Sequence, residues 1–400
     1  MKVCILSSFE DSLSKDTGYS VRIYNLAKNL AKLGNKVFLI IPGFNTSVEE
    51  IDGIIVYTIK GFLSSWILMI IGRLLGITKI TSMYFYDPVF ILRARKIIQR
   101  CDIVQIEQQS TGVFFAIIAN KMWRKPVVAD CHDVLQPLRI NHTNILRRML
   151  ELFCEMIIYK FVNLILTVSE EEKELLISCG VEQSKIEVIP NGVDTNEFNI
   201  NRNIQSIFQL RKQYGLESYR IVTFVGNMEY LPNREAVKLI AFRIAAAVKK
   251  EVPNVKFLII GRITEKINTP DLIFTGRVDN VSKLLSASDV AIVPLLRGSG
   301  TSLKILEYFS CALPVVSTTI GVRGLNVKNG IHALITDDID EFSNMIIELL
   351  RDRELASKLG ESSRRFVMMK YDWGIIGKRL NAIYETIMEN NPKLLDTLQA

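Results

Sequence analysis

The stretch AIVPLLRGSGTSLKILEYFSCALPVVS, residues 291–317, decides how this chain folds. It predicts an apolar strand, a Gly-Ser-Gly-Thr turn, a short helix and a second strand that opens at Pro314. Gly298 and Gly300 let backbone N–H groups approach a ligand, and the positive end of the helix points at the same turn, which favours phosphate. Glu307 follows roughly one and a half turns into the helix, where its carboxylate can accept hydrogen bonds from a ribose. The stretch therefore indicates a nucleotide-diphosphate site, with an ordinary strand–turn–helix unit as the alternative.

Strands and helices alternate along the whole chain. Predicted strands cover residues 2–7, 36–41, 54–59, 102–106, 126–130, 163–167, 185–189, 220–225, 255–260, 271–274, 289–293 and 331–335. Predicted helices cover residues 19–33, 87–100, 144–159, 233–249, 279–287, 338–369 and 372–390, and residues 199–219 form a polar stretch without an element. This alternation predicts α/β architecture with parallel sheets and right-handed crossovers.

At 400 residues the chain is too long for one typical core. Pro190-Asn191-Gly192 interrupts the pattern near its middle. We expect two doubly wound, Rossmann-like domains that face a cleft, with ligands beyond the carboxyl ends of the strands. Residues 1–190 form the first domain, residues 191–371 the second, and residues 372–400 a C-terminal helix that returns to the first.

Charge and cysteine usage narrow the possible partners. The net charge is +7, and residues 60–161 contain 14 Lys and Arg against 7 Asp and Glu, so this stretch carries the whole excess. Its basic clusters alternate with apolar runs, which favours an anionic membrane face or a lipid-linked substrate, with a solvated helix face as the alternative. No recognition motif for nucleic acid accompanies the charge. The six cysteines are scattered, which is typical of buried thiols in a reducing compartment.

Two further features concern location. The N-terminus enters a strand directly, so we expect no secretory signal and a cytoplasmic protein. The apolar run at residues 62–80 is interrupted by Gly72 and Arg73 and is too short to span a bilayer, but it could lie in the interface as an amphipathic helix. We therefore expect a protein at the inner face of the cell membrane.

Candidate site residues of the first domain follow predicted strands. His132 and Asp133 come directly after the strand at 126–130, where an imidazole could hydrogen-bond a sugar hydroxyl and the carboxylate could orient it. Gly18 precedes the first helix and could let a sugar or phosphate approach the backbone, although a plain loop glycine explains it equally well. The segment lacks the GxGxxG spacing, and no acidic residue closes the second strand, which argues against a dehydrogenase.

Candidate residues of the second domain also cluster at strand ends. Gly226 follows one strand, Arg277 and Val278 follow another, and Arg297 and Lys304 flank the glycine turn. Arg234 lies at the start of the helix after Gly226, and any of these cations could neutralise a diphosphate leaving group. No His/Cys cluster with ligand spacing occurs, so we expect no metal and no cofactor.

Five motifs occur in order along the chain: VIPNGVD (188–194), FVGNMEYLPNREAV (224–237), FTGRV (274–278), GSGTSLKILEY (298–308) and ALPVVSTTIGVRGL (312–325). With these motifs the chain resembles the GT-B-fold glycosyltransferases of the group 1 type, family 4, over essentially its full length. The resemblance implies transfer of a sugar from a nucleotide donor, usually with retention and without a metal. It also implies that the second domain binds the nucleotide and the first binds the acceptor.

The resemblance assigns roles to individual residues. It implies that Glu307 binds the ribose, that Gly300, Thr301 and Ser302 hold the phosphates, and that His132 contacts the transferred sugar. Lys304 and Arg297 would neutralise charge, and Gly18 would lie by the donor phosphates. Two positions depart from the family pattern, because Ser299 replaces the first of two glutamates and Asn227 follows Gly226 where many members have Arg.

The sequence thus predicts a retaining, metal-independent glycosyltransferase that uses a nucleotide-diphosphate sugar and a lipid-linked, polysaccharide or other glycan acceptor. We expect front-face substitution, again from the resemblance. Two alternatives remain open. A nucleotide-sugar epimerase of the same fold would turn over donor without acceptor, and a non-catalytic subunit would bind a sugar nucleotide or membrane without releasing nucleotide.

Overall fold

The computed structural model describes residues 1–7, 13, 17–60, 88–107, 117–132, 134, 145–199, 204–264, 267, 269–298 and 300–390. The chain divides into two compact units. The first unit contains Met1–Pro190 and Trp373–Ala400, and the second contains Asn191–Asp372. The apolar run at 62–80, Asp133 and Ser299 lie outside the described residues.

The first unit is built on an eight-stranded sheet with the order β3-β4-β2-β1-β5-β6-β7-β8. Its strands are β1 Lys2–Leu6, β2 Lys36–Pro42, β3 Ser47–Ile51, β4 Ile54–Ile59, β5 Ile103–Glu107, β6 Val127–Cys131, β7 Leu164–Thr167 and β8 Ile186–Val188. All neighbours are parallel except β3 and β4, which pair as an antiparallel hairpin. The strand order reverses between β1 and β5, and this switch point is where open parallel sheets bind ligands.

The second unit is built on a six-stranded parallel sheet with the order β11-β10-β9-β12-β13-β14. Its strands are β9 Arg220–Val225, β10 Val255–Ile260, β11 Leu272–Gly276, β12 Val290–Val293, β13 Val315–Ser317 and β14 Leu334–Ile335. The order reverses between β9 and β12. The carboxyl ends of these two strands therefore define the ligand-binding edge of this sheet.

Twelve α-helices occur within the described ranges. They are α1 Gly18–Lys32, α2 Pro88–Ile98, α3 Ile145–Phe161, α4 Glu170–Ser178, α5 Ile204–Gln213, α6 Leu231–Leu239, α7 Ala245–Glu251, α8 Val281–Ser286, α9 Leu303–Ser310, α10 Ile339–Arg351, α11 Arg353–Lys370 and α12 Trp373–Glu389. Two π-helical turns, Ile118–Met122 and Ile240–Ile244, accompany them. Of the helices that the structure describes, none is both long enough and apolar enough to cross a membrane.

Helices cover both faces of the first-unit sheet. One buried cluster joins α1 and α12 to the strands, and the other joins α2, α3 and α4 to the opposite face. The contact between α1 and α12 is close, because a Cβ added at Gly377 would lie 2.6 Å from Cβ of Asn29. The second unit has one continuous core around its sheet, in which Tyr308 and Phe309 of α9 are fully buried. Both units are thus doubly wound α/β layers, and the predicted fold class is confirmed.

Three details differ from the sequence prediction. Helix α5 lies inside the stretch 199–219 that we predict to lack an element. Strand β3 is also missed, and its pairing with β4 makes the first sheet mixed rather than wholly parallel. The predicted helix at 233–249 is interrupted by the π-helical turn between α6 and α7.

Candidate functional site

The glycine turn of the second unit lies after β12, at the switch point. Gly298 has φ +153° and Gly300 has φ +66°, conformations that favour glycine. Arg323 stabilises the turn by donating to the carbonyl oxygens of Gly298 at 2.8 Å and of Gly300 at 3.4 Å. Ser302 is the N-cap of α9, and its side chain makes no capping hydrogen bond. The first N–H groups of α9 therefore lack a side-chain cap and suit an anion.

Lys304 stands one residue inside α9 and points at the end of β9. Its Nζ donates to Oδ1 of Asn233 at 2.7 Å and lies 4.3 Å from the ring centroid of Phe224. Asn233 is itself oriented by donating from Nδ2 to the carbonyl oxygen of Asn227 at 2.9 Å. Burial lowers the pKa of Lys304 to about 7, and the nearby Glu307 opposes that shift. An anion bound next to Lys304 would raise this pKa and increase the protonated fraction of the side chain.

Glu307 lies one turn further along α9 and is half-buried. Burial raises the pKa of its carboxyl to about 7, the positive Lys304 opposes the rise, and Glu197 adds to it. Within the described part of the chain, no donor hydrogen-bonds to the carboxylate of Glu307. It can therefore accept hydrogen bonds from a diol without first losing a strong interaction.

The two arginines near the turn differ in their surroundings. Arg297 is exposed and forms an ion pair with Glu235 of α6, with its Nε 2.6 Å from Oε2. That pairing makes Arg297 a poorer candidate for binding phosphate than its sequence position indicates. Arg234 is half-buried in α6, and its buried Nε has no hydrogen-bond partner among the residues that the structure describes. An unsatisfied buried donor of this kind is the more suitable anion ligand.

The remaining predicted residues of the second unit lie along the same sheet edge. Gly226 follows β9, and a Cβ there would lie 2.8 Å from Cγ of Asn233, so a side chain would displace the residue that holds Lys304. Arg277 and Val278 follow β11, which is three strands from β12. That separation corresponds to about 14 Å at the usual strand spacing. Arg277 is exposed, and Val278 packs against the core.

Thr301 connects the glycine turn to the beginning of the second unit. Its Oγ1 accepts a hydrogen bond of 2.6 Å from Nδ2 of Asn191. The hydroxyl of Thr301 is therefore fixed by a residue that follows the chain's central proline. Asn191 is buried and belongs to the VIPNGVD motif, for which spacing alone gives no contact.

In the first unit, Gly18 is exposed and is the first residue of α1. Thr17 caps the helix, and Ser20 completes a reciprocal capping box with it. The side-chain oxygen of Thr17 therefore already satisfies one N–H group at this helix start. Gly18 lies at the amino end of α1, as predicted. The N–H groups there have a side-chain cap, whereas those at the start of α9 have none.

His132 follows β6, next to the first unit's switch point, and its side chain is 17% exposed. Its Nε2 lies 2.8 Å from Oε2 of Glu107, the last residue of β5, which is completely buried. The Tyr19 ring packs against the imidazole with 4.7 Å between centroids. Asp133, the other predicted catalytic residue, is not among the described residues.

A buried polar network surrounds Glu107. Arg22 of α1 donates to Asp130 through Nε at 2.9 Å and Nη2 at 2.7 Å, and both side chains are fully buried. Gln105 donates to Glu107 and accepts from the hydroxyl of Tyr384. Burial and the Asp130 charge raise the pKa of Glu107, whereas His132 and Arg22 oppose the rise.

Glu107, Asp130 and His132 each offer one possible metal ligand, and these atoms lie within 4.8 Å of one another. However, Arg22 donates to both oxygens of Asp130 and already supplies the cation. Burial disfavours the charged guanidinium, but Asp130 outweighs it and keeps the pKa of Arg22 above its usual value. A metal ion would have to displace this pair, so the donor set does not suit one.

Sequence reasoning missed Glu107, Arg22 and Asn233 as site residues. The same sequence pattern could have identified Glu107 and Arg22, because each is a charged residue within or at the end of an apolar segment. Glu107 ends the run IVQIE, and Arg22 stands among the apolar positions of α1. Both are unusual inside a core unless they are paired.

The fold defines a two-unit, doubly wound α/β protein. The family model for glycosyltransferase family 4 matches residues 17–197, and that for glycosyl transferases group 1 matches residues 219–352. This chain belongs to the group 1, family 4 glycosyltransferases, a family of sugar-transferring enzymes. The family predicted from the five motifs is confirmed.

Curated relatives share part of the chain. N-acetyl-alpha-D-glucosaminyl L-malate synthase of Bacillus anthracis is 24% identical over 54% of this chain and 63% of its own length. The UDP-Gal:alpha-D-GlcNAc-diphosphoundecaprenol alpha-1,3-galactosyltransferase of Escherichia coli is 27% identical over 64% of this chain and 68% of its own. The match therefore spans about two thirds of these relatives.

Solved structures share the fold over nearly the full chain. Anabaena HepE in complex with UDP superposes with a TM-score of 0.70 at 17% identity, covering 96% of this chain and 100% of that one. Sucrose-phosphate synthase from Thermosynechococcus elongatus gives a TM-score of 0.73 at 16% identity, covering 98% and 100%. At such identities the likeness shows the fold alone.

Proposed function

We propose that this chain transfers a sugar from a nucleoside diphosphate sugar to a lipid-linked or other glycan acceptor, with retention and without a metal. The second unit binds the donor at the glycine turn and α9. In that role Gly300, Thr301 and Ser302 receive the phosphates and Glu307 accepts from the ribose. In the first unit, His132 contacts the sugar that is transferred.

The observation that carries this proposal is the environment of Lys304. Its ammonium is held by Asn233 beside an uncapped helix start, and burial brings its pKa to about 7. A diphosphate would supply the opposite charge that this lysine lacks. The same contacts would stabilise the diphosphate as it leaves with extra negative charge, which is how preorganised cations accelerate group transfer.

The experiment is a thermal-shift panel of UDP-, GDP-, ADP- and TDP-sugars with EDTA present. UDP-glucose is the first donor to try, because HepE has also been solved in complex with it. A ligand at 100 times its Kd adds about 2.7 kcal/mol of stability, which raises Tm measurably. Lys304→Met and Glu307→Ala should remove the shift, whereas the exposed Lys283→Met should keep it. A panel without any shift in the wild type would overturn the donor site.

Turnover then separates the proposed reaction from its alternatives. A transferase releases nucleotide only with an acceptor such as an undecaprenyl-diphosphate-linked sugar, while an epimerase converts the donor alone. Donor binding without nucleotide release under either condition would indicate a non-catalytic subunit. Retention is tested by the anomeric coupling constant of the product in a proton NMR spectrum, and inversion of that centre would contradict this part of the proposal.

We also propose that the first unit rests on an anionic membrane surface. The sequences of α2 and the π-helical turn 118–122 contain no acidic residue. Helix α3 contains two, Glu151 and Glu155, of which Glu155 is buried and accepts from Tyr159. The outward faces of these elements expose large apolar side chains beside basic ones. The exposed apolar side chains are Leu92, Met122, Met149 and Phe153. Such a combination favours the interface of a bilayer that carries negative lipids.

Vesicle sedimentation tests the membrane contact. The protein should pellet with phosphatidylglycerol vesicles and stay in solution with phosphatidylcholine vesicles. Arg95→Glu with Lys96→Glu on α2 should reduce binding at least several-fold, because each basic residue contributes about 1 kcal/mol at such a surface. The matched control, Lys212→Glu with Lys250→Glu in the second unit, makes the same charge change and should bind as the wild type does. Equal losses in both double variants would contradict this assignment of the face.

A further inference from the structure

The imidazole of His132 is engaged on one side only. Its Nε2 meets Glu107, and within the described ranges no hydrogen bond reaches its Nδ1. Tyr19 packs on the ring face, and the Tyr19 hydroxyl is held 3.2 Å from Oγ of Ser7. Among the described residues, the ring is therefore held at Nε2 by Glu107, covered on one face by Tyr19, and without a hydrogen bond at Nδ1.

Both oxygens of the Glu107 carboxyl have a partner. Oε1 accepts from the amide of Gln105, and Oε2 lies 2.8 Å from Nε2 of His132. An ionised carboxylate only accepts hydrogen bonds, so beside an ionised Glu107 the Nε2 atom must carry the proton. Arg22 pairs with Asp130, and the charges of Arg22 and His132 oppose the burial that favours the neutral carboxyl.

We propose that Glu107 is a positioning residue that fixes the tautomer of His132. The buried carboxylate keeps the proton on Nε2 and so leaves the lone pair of Nδ1 directed outward as a hydrogen-bond acceptor. A hydroxyl of the transferred sugar is the donor that this acceptor suits. The inference rests on the proposed sugar transfer, and it adds the residue that sets what His132 presents.

The rest of the network holds Glu107 in place. Tyr384 of α12 donates to Gln105, and Gln105 donates to Glu107, so the carboxylate is fixed from the side opposite His132. Without this support, burial would favour the protonated carboxyl of Glu107. That carboxyl would donate to Nε2 of His132, and the proton of the imidazole would lie on Nδ1. In that tautomer Nδ1 could no longer accept.

The test is the tautomer itself, measured by nitrogen-15 NMR of protein labelled at histidine. His132→Gln assigns the signal among the three histidines. We expect the Nε2–H tautomer in the wild type and the Nδ1–H tautomer in Glu107→Gln, because the new amide donates to Nε2. With a donor and acceptor present, Glu107→Gln should lower kcat about 10- to 100-fold and change the donor KM less than 3-fold.

The matched control is Glu155→Gln, which changes another buried carboxyl of the first unit that bonds Tyr159 instead of a histidine. It should keep both the tautomer and kcat. An Nδ1–H tautomer in an active wild type, which needs no variant to detect, would overturn this inference alone. A wild type that binds no donor and transfers no sugar would overturn the proposed function with it.

Discussion

The pKa values of Lys304 and Glu307 predict that donor affinity has an optimum near pH 7. Both groups have a pKa of about 7 in the free protein, because burial shifts each toward its neutral form. The diphosphate needs Lys304 protonated, so its binding raises that pKa, and this contribution is lost as the pH rises above 7. The ribose needs Glu307 ionised, so its binding lowers that pKa, and this contribution is lost as the pH falls below 7.

The size of the effect follows from the fraction of protein with both groups charged. With both pKa values at 7 and the attraction between the two groups left out, that fraction is about one quarter at pH 7 and about one thirty-third at pH 5.5 or 8.5. Affinity should therefore fall about 8-fold at either limit, which corresponds to about 1.2 kcal/mol of binding free energy. A nucleoside diphosphate sugar is the titrant of choice, because its diphosphate diester does not titrate in this range.

Calorimetric titrations at half-unit steps of pH would measure both arms of the profile, the loss of affinity below pH 7 (the acid arm) and the loss above pH 7 (the alkaline arm). Lys304→Met should abolish the loss of affinity above pH 7. It should also shift the loss of affinity on the acid side to higher pH, because the pKa of Glu307 rises when the cation that lowers it is removed. Glu307→Gln should abolish the loss below pH 7, and the exposed Lys283→Met should retain both arms. A wild-type affinity that is constant from pH 5.5 to 8.5 would refute the reasoning, as would an alkaline arm that survives in Lys304→Met.

Two stability predictions follow from close contacts in each unit. Gly261→Ala should lower the free energy of unfolding, measured by urea titration, by about 2–4 kcal/mol, because φ is +131° and the new Cβ would lie 2.4 Å from the carbonyl oxygen of Gly226. The control Gly276→Ala also has a positive φ but open space around it, and it should cost about 1 kcal/mol. Arg22→Met should lower the free energy of unfolding by about 3–5 kcal/mol, because it leaves Asp130 buried without its counter-charge. Adding Asp130→Leu should recover most of this loss. A double variant as unstable as the single one would contradict the pairing.

The sequence predicts the strands well because a doubly wound sheet buries both faces. Residues 54–59 and 220–225 are predominantly apolar, and the structure forms β4 and β9 over those residues. Helix α5 was missed because its apolar positions are few, and β3 because SVEEI has three exposed residues out of five. Both are peripheral elements that tertiary packing stabilises more than local pattern does.

The candidate site divides in the same way. The glycine turn and Glu307 are contiguous in sequence, so spacing alone places them on one turn–helix unit. By contrast, Arg22 and Asp130 are 108 residues apart, and Lys304 and Asn233 are 71 apart. Such pairs depend on which strand ends the topology makes neighbours, and neither residue of a pair carries a local signal of its partner.

The two switch points show why the titratable groups gather where they do. Strands buried on both faces disfavour unpaired charge along their length. The charged side chains of β5 and β6, Glu107 and Asp130, lie near the carboxyl ends and are paired with His132 and Arg22. Burial is the largest influence on the pKa of Glu107, Lys304 and Glu307, and in each case it favours the neutral form. At the second switch point Lys304 and Glu307 both have a pKa of about 7, so a bound ligand decides whether each of them is charged. Removing a partner such as Asn233 or Glu107 should consequently change what the site recognises more than how stably the unit folds.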